Sequence, residues 1–222
     1  DKVYGIDFMD SNTPHLLVGG TTGGGKTVFA RHALSYLTEN NSVDKLNIAV
    51  VDTGMVDLVH LNNSQHLWNG IPVQTEAGSV LELFRAAESE MRDRLKAMVD
   101  MEIEKVTDEF PHLLLWVEEF KDLVIGSPYE KGICEVLGTL SALSRKTGIH
   151  LVLSTQRPDG KVVIPAIRSN LPARVAFKVA QKDDSPIILG LPNDFRALGL
   201  LGKGDMILKT AATDRRLQGF AP

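Results

Sequence analysis

Short apolar runs alternate along this chain with amphipathic segments whose apolar residues recur every three or four positions. The apolar runs predict buried strands at Leu16–Val18, Leu46–Val51, Leu113–Val117, Leu151–Ser154, Arg174–Val179 and Asp205–Leu208. The amphipathic segments predict helices at Thr27–Leu37, Ser79–Met101, Glu130–Thr147, Ile164–Asn170 and Asp184–Leu189. Strands that alternate with helices are typical of a mostly parallel sheet covered on both faces. We therefore expect one doubly wound α/β domain over residues 1–222.

Composition places the chain among ordinary globular proteins, with 43% hydrophobic and 23% charged residues in 222. No apolar run approaches the roughly 20 residues of a membrane span, so we expect no membrane contact from this domain. Cys134 is the single cysteine, which excludes an internal disulfide and predicts a reduced, cytoplasmic setting. The net charge of −4 argues against a monomeric DNA-binding module, yet it is compatible with a ring that has a basic lining.

A glycine-rich segment follows the first predicted strand and fits the phosphate-loop template in full. It reads Gly20-Thr21-Thr22-Gly23-Gly24-Gly25-Lys26-Thr27. Glycines allow backbone N–H groups to close around a phosphate chain. Lys26 would supply a positive charge for the β and γ phosphates, and the hydroxyl of Thr27 would bind Mg²⁺. The predicted helix that follows would direct its N-terminal partial charge at the same phosphates.

Two acidic residues, Glu118 and Glu119, follow the predicted strand Leu113–Val117. Beside a phosphate loop, one such carboxylate can hold Mg²⁺ and the next can activate the attacking water. The alternative is an acidic helix N-terminus favoured by the helix dipole. The presence of the phosphate loop favours the catalytic interpretation.

Polar residues also follow two other predicted strands. Thr155, Gln156 and Arg157 end the strand that begins at Leu151, where a glutamine can contact the γ-phosphate or hold the water. A solvated turn before Pro158 is the alternative for these residues. Asp52 ends the second predicted strand. It could cap the following turn or face a ligand at the edge of the sheet, and we slightly favour the capping role.

The chain resembles the FtsK/SpoIIIE family of DNA translocases in five ordered blocks. The first block contains the phosphate loop and the second contains the acidic pair. The five blocks run from Pro14 to Thr27, Pro111 to Phe120, Ala142 to Pro158, Ile167 to Phe177 and Leu201 to Met206. Together they extend over nearly the whole chain, which is far more specific than a phosphate loop alone.

The resemblance implies a RecA-like P-loop motor domain that binds ATP and Mg²⁺ between the subunits of a ring, usually a hexamer. Lys26 and Thr27 match the phosphate and metal positions, and Glu118 matches the metal-holding position. The water-activating position corresponds to Glu119, and the sensor position to Gln156. Arg174 matches an arginine that can reach the γ-phosphate of a neighbouring subunit. Arg92 and Arg94 are weaker candidates, for which surface salt bridges are favoured.

The resemblance also implies contact with double-stranded DNA through two loops that face the central pore. One loop matches Gln181–Pro186 and the other matches Lys209–Gln218. Lys182, Arg215 and Arg216 are their basic residues, and a solvated charged loop is the alternative for each. A few cations per subunit, repeated around a ring, could neutralise many phosphates.

Three departures from the family pattern indicate a divergent member, from a conjugative element, a phage or plasmid, or a defence system. Glu118 stands where the family usually has aspartate, and Asp52-Thr53-Gly54 replaces the family's Asp-Pro-Lys. Pro186 stands where the first pore loop usually has an arginine.

Three functions follow from this pattern. The leading hypothesis is an ATP-driven motor for double-stranded DNA. The alternatives are a coupling ATPase that moves protein substrates in a secretion system, and a nucleotide-binding scaffold with weak hydrolysis. A GTPase is disfavoured because no Asn-Lys-x-Asp string occurs.

Overall fold

The computed structural model describes residues 4–156, 158 and 162–219, so the predicted polar residue Arg157 lies outside the described part. One sheet contains all seven strands of the described residues. They are β1 (Leu16–Gly19), β2 (Leu46–Asp52), β3 (His112–Glu118), β4 (Ile149–Thr155), β5 (Ala173–Phe177), β6 (Asp205–Lys209) and β7 (Asp214–Gln218). Their order is β2-β3-β4-β1-β5-β6-β7. The first five strands pair in parallel, and β6 and β7 pair antiparallel.

Helices connect the parallel strands. The α-helices are α1 (Lys26–Asn40), α2 (Ala77–Asp100), α3 (Lys121–Val124), α4 (Glu130–Leu143), α5 (Pro165–Arg168) and α6 (Asp184–Leu189). Short 3₁₀ helices cover Val59–Asn63, Trp68–Gly70, Ser144–Thr147 and Arg196–Gly199. Within the described ranges, no helix is both long enough and apolar enough to cross a membrane.

Two hydrophobic cores lie on opposite faces of the sheet because successive residues of a strand point to opposite sides. On β1, Leu17 joins the core built with α2 and α4, whereas Leu16 and Val18 join the core built with α1. The five parallel strands are buried on both faces, as expected for a parallel sheet covered by helices. This confirms the predicted α/β class.

The predicted boundaries need several corrections. The predicted loop Lys209–Gln218 is wrong over its second half, because residues 214–218 form β7. This strand escaped prediction because it is a polar edge strand with a single apolar residue, Leu217. The strand predicted to reach Val179 ends at Phe177, and the helix predicted to reach Thr147 continues after Leu143 as a 3₁₀ helix.

Candidate nucleotide-binding site

The phosphate-loop segment leaves the carboxyl end of β1, at the centre of the sheet. This is the edge where ligands bind in parallel α/β sheets. The Gly20 N–H donates to the Thr155 carbonyl at 3.3 Å, and the Thr21 N–H donates to the Lys178 carbonyl at 2.7 Å. The loop is therefore held on both sides by the strands that flank β1.

A turn at residues 202–204 packs directly on the loop. The Lys203 and Gly204 N–H groups donate to the carbonyls of Gly23 and Gly24 at 3.2 and 2.8 Å. Gly25 has a φ of 115°, and a Cβ atom there would lie 2.7 Å from the Gly204 nitrogen. Only glycine suits this position, both for its backbone conformation and for the close approach of the turn.

Lys26 is buried at the start of α1, and its Nζ donates to the Gly20 carbonyl at 2.7 Å. Burial lowers the pKa of this ammonium, and the negative charges of Glu118, Glu119 and Asp57 oppose the change. The lysine and the two predicted carboxylates therefore lie within electrostatic range of one another, as the sequence motifs require.

Glu118 ends β3 and is only 5% exposed. Its Oε2 accepts from the Trp116 indole N–H at 3.2 Å, and its Oε1 accepts from the Ser154 hydroxyl at 3.0 Å. Burial raises the pKa of this carboxyl. The two hydrogen bonds stabilise the charged form and partly offset that rise in pKa. Glu118 is thus a desolvated carboxylate held in one orientation.

Glu119 follows directly and has a φ of 52°, in the left-handed region that non-glycine residues seldom adopt. Such a conformation costs roughly 1–3 kcal/mol and is concentrated at functional sites. It directs the carboxylate toward the end of β4, where both oxygens accept from the Gln156 N–H at 3.2 and 3.1 Å. Burial raises the pKa of Glu119, and the Gln156 bond opposes that rise.

Gln156 joins the phosphate loop to the acidic pair. In the sheet, β4 lies between β1 and β3, so its carboxyl end reaches both neighbours. The Thr22 hydroxyl donates to the Gln156 side-chain oxygen at 2.5 Å. A glutamine at this point can contact a γ-phosphate and the adjacent carboxylate together.

The structure also places at this site a carboxylate that sequence reasoning missed. Asp57, in the loop after β2, accepts from the Thr27 hydroxyl at 3.3 Å. The same loop confirms the capping role expected for Asp52, whose Oδ2 accepts from the N–H groups of Asp57 and Leu58 at 2.8 Å each. Asp57 belongs to no phosphate-loop motif. The one signal in the sequence was its acidic side chain directly after the apolar pair Met55-Val56.

The donor atoms present suit Mg²⁺, which prefers oxygen ligands and is usually bound by one or two carboxylates together with substrate phosphates. Thr27, Asp57 and Glu118 supply a hydroxyl and carboxylates at this edge of the sheet. The described residues contain no cluster of three or more histidine, cysteine or acidic side chains that could hold a metal by itself. The hydroxyl and carboxylate oxygens present therefore fit a cation whose other ligands are substrate phosphates and water.

Arg174 lies near the amino end of β5, in register with Leu17, and thus away from the phosphate loop of its own chain. It is 7% exposed, and its guanidinium donates to the Arg168 carbonyl. Its other terminal nitrogen has no hydrogen-bond partner within the described ranges. Burial lowers the pKa of Arg174 to about 10.

The two weaker arginine candidates form helix ion pairs. Arg92 pairs with Glu88 at 2.6 Å on an exposed face, as expected. Arg94 pairs with Glu90 at 2.7 Å but is only 4% exposed, so the expected surface position is wrong for it. Its guanidinium also donates to the Thr147 carbonyl, which fixes α2 to the 3₁₀ turn after α4.

The predicted basic residues lie on two adjoining segments. The Lys182 ammonium lies 4.2 Å from the centre of the Phe195 ring. Arg196, the next residue along, pairs with Asp214 at the start of β7. Arg215 and Arg216 are both exposed, and Arg216 makes two hydrogen bonds to Asp205, at 2.9 and 2.7 Å. The predicted pore segments are therefore linked through a cation–π contact and an ion pair.

The phosphate loop follows the central strand β1, and β4, which ends at Gln156, lies between β1 and β3, which carries the acidic pair. This arrangement defines a P-loop ATPase of the RecA-like class. The chain belongs to the FtsK/SpoIIIE family, whose model matches residues 2–187. It is 35% identical over 215 residues to the DNA translocase FtsK of Borreliella burgdorferi and 35% identical over 234 residues to that of Leptospira interrogans. These matches cover 91% and 98% of this chain but only 26% and 24% of the relatives.

Solved structures agree with this assignment. The conjugation coupling protein TcpA of pCW3, solved as a monomer with ATPgS, is similar with a TM-score of 0.82 and 28% identity. That match covers 97% of this chain and 62% of TcpA. The type VII secretion ATPase EccC of Thermomonospora curvata has a TM-score of 0.74 at 23% identity, over 92% of this chain and 25% of EccC, which shows a shared fold.

Proposed function

We propose that this chain is the motor domain of an ATP-hydrolysing ring that moves double-stranded DNA. The observation that carries the proposal is the convergence of Lys26, Glu118, Glu119 and Gln156 at one edge of the sheet. Mg²⁺–ATP would supply the phosphoanhydride bond and the metal charge. Lys26 and the loop amides hold the phosphates, Glu118 and Thr27 hold the cation, and Glu119 accepts a proton from the attacking water.

The relatives named DNA translocase FtsK support DNA as the substrate. The likeness to the conjugation coupling protein TcpA supports a role in plasmid or conjugative transfer. Hydrolysis needs a compartment that contains ATP, and the single cysteine fits a reducing one, so we assign the domain to the cytoplasm. Lys182 and Arg215, on the linked segments Gln181–Pro186 and Lys209–Gln218, are the proposed DNA contacts, and Arg216, whose charge is balanced by Asp205, is a weaker one.

A ring, with six subunits as the expected number, completes the catalytic site in this proposal. Arg174 lies away from its own phosphate loop, which supports a role in the site of a neighbour. Its guanidinium must then leave the Arg168 carbonyl when the subunits assemble. An arginine provided in this way can raise a phosphoryl-transfer rate by roughly 10³–10⁵-fold.

ATP hydrolysis by the full-length protein, with and without duplex DNA at low salt, tests the proposal. We expect stimulation by duplex DNA and at least about a 100-fold loss in Lys26→Ala and Glu119→Gln. Glu82→Gln changes an exposed carboxylate on α2 and is the matched control. Hydrolysis that ignores DNA in the assembled ring would overturn the DNA motor, and stimulation by a secretion substrate peptide would identify a protein-moving ATPase. Tight ATP binding with negligible turnover would identify a scaffold.

A further inference from the structure

The hydroxyl of Thr27 donates its hydrogen bond to Asp57, a residue that lies 30 positions away in the loop after β2. A Thr27 hydroxyl that binds a cation does so through an oxygen lone pair, so its proton must point to another acceptor. The Asp57 carboxylate, at 3.3 Å, occupies the acceptor position. The contact therefore orients the lone pairs of Thr27 away from Asp57 and toward the phosphate side.

Contacts from Asp52 and Arg31 hold Asp57 and the residue after it in place. The buried Asp52 carboxylate accepts from the backbone of both Asp57 and Leu58, and the Leu58 side chain is fully buried. Arg31, one turn along α1 from Thr27, donates from Nε to the Asp57 carbonyl at 2.9 Å. Its guanidinium also lies 3.7 Å from Asp57 Oδ1. The loop is thus tied to the end of β2 and to α1 together.

Glu118 has a different set of partners. Both of its oxygens accept hydrogen bonds, one from Trp116 and one from Ser154. Within the described ranges, the carboxylate hydrogen-bonded to the Thr27 hydroxyl is that of Asp57. The carboxylates at the proposed cation site therefore come from two elements. Glu118 lies at the end of β3, and Asp57 lies in the loop after β2.

We propose that Asp57 is a positioning residue for Mg²⁺, acting through the hydroxyl of Thr27. The inference rests on the proposed function, because it assumes that the cation arrives with ATP. Carboxylates that orient a metal ligand contribute typically 10- to 100-fold to metal affinity. Asp57 orients the Thr27 hydroxyl in this way, and Asp52 and Arg31 hold the Asp57 carboxylate in position.

Mn²⁺ binding to the nucleotide complex of the full-length protein, followed by the electron paramagnetic resonance of free Mn²⁺, tests this role. A fluorescent ATP analogue measures nucleotide affinity in EDTA and in Mn²⁺. We expect Asp57→Ala to weaken Mn²⁺ binding at least about tenfold while the affinity in EDTA stays within about threefold of wild type. Asp57→Asn keeps an acceptor oxygen for Thr27, so we expect it to restore part of the loss.

Asp44→Ala is the matched control, because it removes an exposed carboxylate just before the amino end of β2, at the opposite edge of the sheet from Thr27. We expect its Mn²⁺ affinity to stay within about threefold of wild type. Wild-type Mn²⁺ affinity in Asp57→Ala would overturn this inference and leave the proposed function standing. If the wild-type protein bound no nucleotide in either condition, the proposed function would be overturned, and this inference with it.

Discussion

The hydroxyl of Thr22 and the side-chain amide of Gln156 join the phosphate loop to the end of β4 through a 2.5 Å hydrogen bond. The backbone N–H of the same glutamine donates to both carboxylate oxygens of Glu119. One residue therefore contacts the element that holds phosphate and the carboxylate proposed to activate water. This arrangement makes Gln156 the link between nucleotide binding and hydrolysis.

Gln156→Ala separates these two roles, because it leaves the backbone N–H that holds Glu119 and removes the side-chain amide proposed to contact the γ-phosphate. We expect ATP affinity within about threefold of wild type and a turnover lowered at least about tenfold. Equilibrium binding of a fluorescent ATP analogue and steady-state hydrolysis measure the two quantities. Gln65→Ala, at an exposed glutamine, is the control. Unchanged turnover in Gln156→Ala would contradict the assigned link.

Gly25→Ala tests the close contact between the loop and the turn before β6. The added Cβ atom would meet the Gly204 backbone at 2.7 Å in a left-handed conformation, so we expect a loss of about 1–3 kcal/mol in the free energy of unfolding. Urea denaturation measures it. Gly138→Ala, inside α4 and with open space at its Cβ position, should instead stabilise the protein by roughly 0.5–1 kcal/mol. Equal effects of the two substitutions would contradict the assigned contact.

Glu118→Gln should stabilise the nucleotide-free protein at neutral pH. Burial raises the pKa of Glu118, so this carboxyl favours folding while protonated, and that contribution is lost as pH rises through the folded-state pKa. We expect Glu118→Gln to unfold at a higher temperature than wild type at pH 7, and the gap to narrow as pH falls toward about 4. Thermal unfolding across this pH range measures the gap. Glu82→Gln should show no such trend.

Arg215→Ala should weaken the binding of duplex DNA to the assembled protein. Each lost phosphate contact lowers the slope of log affinity against log salt by about 0.9. Arg216→Ala should weaken DNA binding less, because Arg216 already neutralises Asp205. Fluorescence anisotropy of labelled duplex DNA at several salt concentrations measures both. Lys131→Ala, at a lysine that is 89% exposed on α4, is the control. Equal salt slopes for Arg215→Ala and Lys131→Ala would contradict the assignment of Arg215 as a DNA contact.

The sequence alone predicted the parts of the molecule whose signals are local. The phosphate loop and the acidic pair are contiguous strings, and continuous apolar runs identified six of the strands. β7 escaped prediction because Asp214, Arg215 and Arg216 carry no apolar alternation, and its pairing with β6 is what makes it a strand. Asp57 escaped prediction because its role depends on a contact across 30 positions, which no local pattern records.

The backbone bonds from the Lys203–Gly204 turn to Gly23 and Gly24 have a mechanical consequence. The Gln218 side chain donates to the Lys203 carbonyl at 2.8 Å, so the open end of the β6–β7 hairpin is fastened to the same turn. The 202–204 turn is therefore bonded both to the phosphate loop and to the last strand of the sheet, so a displacement of either one would act directly on the other.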